Sequence, residues 1–208
     1  MFGDGSLTFR EFAMNEPLPM ATIHQAVLEY MQGRDDAVVF GAHAVNAYVE
    51  LSRMTQDVDI LALDAETFAE NLKQYLANRF HIAIRIRDVA KGNGYRLYQV
   101  RNPANRHLVD VRMVESLPAC KRIEGVLFPE PVELISQKMI SMVTRLKTAK
   151  GMTDTADLRR LLLTFPELKS EQGPVLQALN AANASSAVLD AWSQIVVEDI
   201  EPDDDDAF

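Results

Sequence analysis

At 208 residues and 48% hydrophobic content, the chain is long enough to bury a full core, as one domain or as one domain with a smaller helical annex. No apolar stretch reaches the length of a membrane helix, and the start Met1-Phe2-Gly3-Asp4-Gly5 lacks the basic and apolar regions of a secretory leader, so a cytoplasmic protein with no membrane partner is expected. The single cysteine, Cys120, excludes an internal disulfide framework and a cysteine-based zinc site, and the formal charge of −9 counts against nucleic acid until its distribution is considered.

Residues 20–32 space Ile23, Val27 and Tyr30 at helical intervals and stop at Gly33, which predicts a first helix. Residues 37–40 form a short apolar run ending at Gly41, read as a buried strand, with a helix over 42–51 opening directly from it. Residues 57–63 alternate polar and apolar and then become wholly apolar, as a central strand does. Residues 65–79 place Phe68, Leu72, Tyr75 and Leu76 on one helical face. Strands over 82–89 and 95–101 are joined through Lys91-Gly-Asn-Gly94, whose glycines supply positive φ for a hairpin. A turn over 102–105 leads into a strand at 107–113.

After Phe128-Pro-Glu-Pro131 the pattern is all helical: 132–150, 154–163, 173–180 and 185–197. The predicted architecture is a mixed α/β (α+β) domain over 1–128, with helices packed on a small mixed sheet, then a helical domain over 129–197. Residues 198–208 carry too much charge and too little apolar surface to fold, so a disordered acidic tail is expected.

That tail holds seven of the acids, and the chain without it is close to neutral, at about −2. The segment 79–122 holds ten Lys or Arg against three acids. It could meet a polyanion such as RNA, although lysine and arginine also protect strand edges from pairing.

Three features carry chemistry. In Asp57-Val58-Asp59-Ile60 the two-residue period of a strand sends both carboxylates to one face. Two adjacent acids repel, and a hard divalent cation such as Mg²⁺ relieves that repulsion through oxygen ligands. Asp-x-Asp is common by chance, so it needs support. Val109-Asp110-Val111 offers a third acid between β-branched residues, either a ligand or a solvent-facing strand acid. Gly41 lies at a strand-to-helix turn, where unpaired backbone N–H groups favour a triphosphate or simply start a helix.

These residues resemble the nucleotidyltransferase superfamily of the DNA polymerase β type, and within it the AbiEii-like toxin nucleotidyltransferases. The likeness runs through Phe40-Gly-Ala-His-Ala-Val-Asn-Ala-Tyr48 and the more specific Arg53-Met-Thr-Gln-Asp-Val-Asp-Ile60. It continues in Glu133-Leu-Ile-Ser-Gln-Lys138-Met, Arg145 and Thr153-Asp-Thr-Ala-Asp157-Leu. The resemblance implies transfer of a nucleoside monophosphate from an NTP to an acceptor, with pyrophosphate leaving. Asp57, Asp59 and Asp110 would be the metal-binding and catalytic carboxylates. Gly41, Ala42 and His43 would meet the triphosphate, and Lys138 and Arg53 would balance its charge.

The family has Gly-Gly or Gly-Ser where this chain has Gly41-Ala42, which loses a hydroxyl that His43 could replace as a donor. Lys138 and Arg145, seven apart, share a helical face, and Asp154 and Asp157 fit a helix N-terminal cap. The acceptor implied is RNA or protein, and an antitoxin protein is the implied partner. Two other readings stay open: a non-catalytic module of the same fold that binds a nucleotide or a partner, and a small-molecule nucleotidyltransferase, against which the basic strands speak.

Overall fold

In the computed structural model the described residues are 18–89 and 91–202. The expectations for the first residues and for the end of the acidic tail lie outside them. The chain forms two compact units. One holds the described residues up to His43 with Arg53–Phe128, and the other holds Ala44–Ser52 with the described residues from Pro129 onward.

The first unit opens with α1 (Met20–Met31), which buries Ile23, Ala26, Val27 and Met31 completely. Strand β1 (Ala37–Phe40) runs into α2 (Gly41–Asn46), followed by β2 (Val58–Ala62) and α3 (Ala65–Phe80). Asp64 starts α3 by accepting from the Thr67 amide at 3.0 Å. Strands β3 (Ile84–Val89), β4 (Gly94–Gln99) and β5 (Arg106–Met113) follow. The five strands form one mixed sheet in the order β1-β2-β5-β4-β3. Only β2 and β5 are parallel; the other pairs are antiparallel.

Alternation explains the sheet. Val58, Ile60, Val109, Val111 and Leu97 are at most 1% exposed and belong to the core, where α3 packs on β2, β3, β4 and β5. On the opposite side, the register aligns Arg87, Arg96, Asp110, Asp59 and Phe40 in one row across all five strands.

Three differences from the sequence reading have local causes. The helix after Gly41 has six residues instead of ten, and the Tyr48 and Val49 amides close a turn on the Val45 carbonyl. A two-stranded sheet absent from the sequence reading pairs β6 (Cys120–Ile123) with β7 (Val126–Pro129). Its turn, Glu124-Gly125, has φ of 49° and 85°, the pair of positive values a tight hairpin needs. Cys120 is half-buried on this hairpin and its thiol donates to the Pro118 carbonyl at 3.0 Å.

The third difference lies in the second unit, where 132–150 is two helices. α4 (Pro131–Thr144) ends and α5 (Ala149–Thr164) begins with Thr148 as its cap, accepting from the Gly151 amide at 3.0 Å. Asp154 and Asp157 are therefore inside α5 and not at its start. A Cβ on Gly151 would run into the Arg145 backbone carbonyl, which cannot swing away as a side chain can. Gly151→Ala is expected to cost about 1–3 kcal/mol by overpacking, against about 1 kcal/mol for Thr148→Ala, which removes only the cap. Chemical denaturation of the two variants tests that order, and equal losses would show the turn has room to adjust.

A short 3-10 turn at Pro166–Leu168 leads to α6 (Pro174–Ala181) and α7 (Ser186–Val197), which pack with α4 around Val175, Leu179, Val188 and Trp192. Residues 198–202 form no helix or strand but are held: Arg159 pairs with the Glu198 carboxylate, and Lys169 donates to the Glu198 carbonyl.

Candidate functional site

The entry to β2 is fixed by Thr55, whose hydroxyl donates to the Asp57 carbonyl at 2.9 Å. This is a structural use for the threonine of Arg53-Met-Thr-Gln-Asp57. Asp57 then precedes the strand and Asp59 lies within it, with Val58 buried between them. Because β5 runs parallel to β2, Asp110 falls directly opposite Asp59. Like charges placed directly opposite in a sheet are unfavourable unless something neutralises them.

Two cations from the same unit do part of this. Arg96, the β4 partner of Asp110, donates from Nε to its Oδ1 at 2.8 Å. His107 spans two acids, with Nε2 at 3.2 Å from Asp110 Oδ1 and Nδ1 at 3.2 Å from Asp57 Oδ2. In a regular strand, residues 107 and 110 would face opposite sides. Here the pairing of β4 with β5 slips between Leu97 and Tyr98, so that Leu97 opposes Val109 and Tyr98 opposes His107, leaving Leu108 as an extra, buried residue. This bulge turns His107 onto the carboxylate side. His107 was not among the sequence candidates because strand parity excludes it; no local signal marks the bulge.

Asp57, His107 and Asp110 each bring one donor atom within 4.8 Å of the others, a span that ligands around one divalent ion reach with small rotations. The Asp59 carboxylate lies elsewhere, against the strand-to-helix turn. Gly41 has a φ of +69°, and a Cβ there would collide with the Asp59 Oδ2 atom, so only glycine permits this approach. The donor set fits a divalent cation.

Electrostatics follow from the contacts. Hydrogen bonds to Asp110 and then Asp57 push His107 up to about 9. Burial pushes Asp110 up, but His107 and Arg96 together outweigh it and hold the carboxyl below its ordinary range. His43, next to the turn, behaves oppositely: burial and the neighbouring His24 lower it to about 4, so it is neutral at physiological pH. The two rings meet edge to face at 4.8 Å, and neither Nε2 has a partner among the described residues.

Stability should therefore peak near pH 6.5. The His107 contribution is complete below its ordinary value of 6.5 and is lost as pH rises through about 9. The His43 contribution is present above 6.5 and is lost as pH falls through about 4. Melting temperatures from pH 4 to 9.5 test this, with the His107 ring titration followed by NMR. Stability that keeps rising between pH 6.5 and 9 would contradict the assignment of His107.

The remaining sequence candidates are placed as follows. Ala42 is buried and His43 half-buried in the first turn of α2, and Arg53 is half-buried in the segment leading to Asp57, with its guanidinium donating to the Met54 carbonyl at 3.3 Å. Lys138, in the other unit, is 6% exposed; its Nζ donates to Asp154 Oδ1 at 3.0 Å and to Asp157 Oδ2 at 2.7 Å. Arg145, just past the end of α4, reaches Asp154 Oδ2 at 3.4 Å. Among the described residues, no helix is long and apolar enough to cross a membrane.

No family model and no curated protein matches this chain. Solved structures do match. The Megavirus polyadenylate synthase superposes with a TM-score of 0.56 and 12% identity, over 71% of this chain and 32% of that one. The chain thus spans about a third of that protein's length. An antigenic nucleotidyltransferase-like protein from Paracoccidioides brasiliensis gives a TM-score of 0.46 and 17% identity, over 88% of this chain and 92% of that one. At such identities the likeness is one of architecture: this chain shares the fold of the part of the polyadenylate synthase that it matches.

Proposed function

We propose that this protein is a divalent-metal-dependent nucleotidyltransferase that moves a nucleoside monophosphate from an NTP to a hydroxyl of RNA. The observation that carries the reading is the parallel register that sets Asp110 opposite Asp59 on the same sheet face as Asp57. An acidic pair of this kind, with one carboxylate against the strand-to-helix turn at Gly41 and on a fold shared with part of a polyadenylate synthase, has a direct use in phosphoryl chemistry.

Asp57 and Asp110 would hold the metal, with Asp59 turning from its place against Gly41 to join them, and the metal would supply charge neutralisation of the triphosphate. The acceptor hydroxyl attacks the α-phosphorus, the α–β phosphoanhydride bond breaks, and pyrophosphate leaves. Asp110 orients the attacking hydroxyl and draws its proton, while Arg96 keeps the carboxylate ionised and fixed. The amides at Ala42 and His43 would cradle phosphate oxygens, with Arg53 adding positive charge. The buried neutral ring of His43 is suited to donating a hydrogen bond, not to acting as an acid. Lys138 would have to leave two carboxylates before it could serve the triphosphate.

RNA is favoured as acceptor over protein by Arg85 and Arg87. Both are exposed on the edge strand β3, and neither has an ion-pair partner among the described residues. The AbiEii-like motifs around Asp57 and Lys138 support a toxin role with an antitoxin as partner. The protein should be incubated with Mg²⁺ or Mn²⁺, each labelled NTP in turn, and cell extract treated with RNase or with protease. Label in an RNase-sensitive product, absent with Asp57→Ala/Asp59→Ala, is expected. A protease-sensitive product moves the acceptor to protein. Label in no product, with wild type and double variant alike, would favour a non-catalytic binding module.

A further inference from the structure

We propose that His107 is itself a ligand of the catalytic cation, together with Asp57 and Asp110, and that this site takes Mn²⁺ in preference to Mg²⁺. The inference rests on the nucleotidyl-transfer reading of the same carboxylates and adds a nitrogen donor to them. Three observations converge on it.

First, the donor atoms of Asp57, His107 and Asp110 cluster within 4.8 Å, whereas the Asp59 carboxylate lies outside this set. The compact group that this fold builds is thus two oxygens and one imidazole nitrogen, not three oxygens. Second, His107 is on the carboxylate face only because β5 carries an extra residue at Leu108, the slip that re-aims it. Third, the ring already bridges two acids through its two nitrogens, at 3.2 Å to Asp110 and 3.2 Å to Asp57. A metal-bound histidine characteristically keeps its other ring N–H on a carboxylate, and this ring has a carboxylate waiting on each side.

The donor set decides the ion. Mg²⁺ demands oxygen ligands in near-ideal octahedral geometry and dehydrates reluctantly, whereas Mn²⁺ accepts imidazole beside carboxylates. Replacing one carboxylate of an all-oxygen site by His107 therefore lowers the relative affinity for Mg²⁺.

The test is pulsed EPR on the full-length protein with MnCl₂, supported by competition with MgCl₂ followed through the free Mn²⁺ signal. The expected result is a directly coordinated nitrogen that changes isotope signature when histidine is ¹⁵N-labelled and disappears in His107→Gln. Mg²⁺ should compete at least tenfold more weakly than Mn²⁺. His107→Gln should lose Mn²⁺ affinity by about 10–100-fold while changing Mg²⁺ affinity less than threefold. The labelled wild-type protein needs no substitution, so the nitrogen assignment holds even if the variant folds poorly.

Mn²⁺ bound with no nitrogen coupling, or with coupling that survives in a folded His107→Gln, overturns the ligand role of His107 and leaves the carboxylate metal site standing. Mg²⁺ binding as tightly as Mn²⁺ overturns the preference. Absence of Mn²⁺ binding at millimolar concentration, with and without NTP, overturns both this inference and the metal-dependent reading it rests on.

Discussion

Replacing Asp157 by alanine is expected to destabilise the helical unit by about 3–5 kcal/mol. Asp157 is fully buried and accepts from Lys138 Nζ at 2.7 Å, and Lys138 is itself only 6% exposed. The substitution leaves an ammonium in the interior with Asp154 as its remaining carboxylate partner among the described residues, and the cost of an under-compensated buried charge exceeds the value of the bond removed. For a chain of this size each kcal/mol moves the melting temperature by about 2–4 °C, so a fall of roughly 6–20 °C is expected. Trp192, the chain's only tryptophan and 1% exposed in α7, reports on the same unit by fluorescence. The double variant Lys138→Met/Asp157→Leu should recover much of the loss, since apolar replacement of a whole buried pair is often neutral. A single variant within 1 kcal/mol of wild type would show that the network is not what holds α4 to α5.

The parts of this fold legible in the sequence are those where one residue's environment is set by its immediate neighbours. Period-two burial marks β2, and the 3.6-residue period marks α1 and α3. Parity alone places the acids at 57 and 59 on one face, and the register of β5 on β2 brings Asp110 opposite Asp59. Parity is also what hid His107, because the slip opposite Leu97 and Tyr98 is a property of the pair of strands and not of either segment. The break after Thr144 is similar. Residues 145–150 are compatible with helix, and the stop comes from the Thr148 cap and the close approach of Gly151 to the Arg145 carbonyl. Asp154 and Asp157 were legible as a motif but not as partners of Lys138, since the turn that sets α5 beside α4 is what brings them together. The hairpin at Glu124-Gly125 carried a glycine signal, but glutamate is an unusual residue at a positive φ and masked it.

For the proposed nucleotidyl transfer, a loss on the order of a thousandfold is expected for Asp59→Ala, equivalent to removing about 4 kcal/mol of transition-state stabilisation with one carboxylate of the proposed site. Gly41→Ala should approach the same loss although it removes no functional group. Its Cβ would occupy the space of Asp59 Oδ2, so either the carboxylate rotates away or the turn opens. The positive φ of +69° adds a backbone penalty of its own. The two substitutions share one cause, so their effects should not add. Gly41→Ala/Asp59→Ala should be no less active than Asp59→Ala, and it should melt higher than Gly41→Ala, because shortening residue 59 makes room for the new methyl. Measuring label transfer and melting temperature for the two singles and the double tests this directly. Additive activity losses would mean that Gly41 acts on the triphosphate through its backbone and not through Asp59.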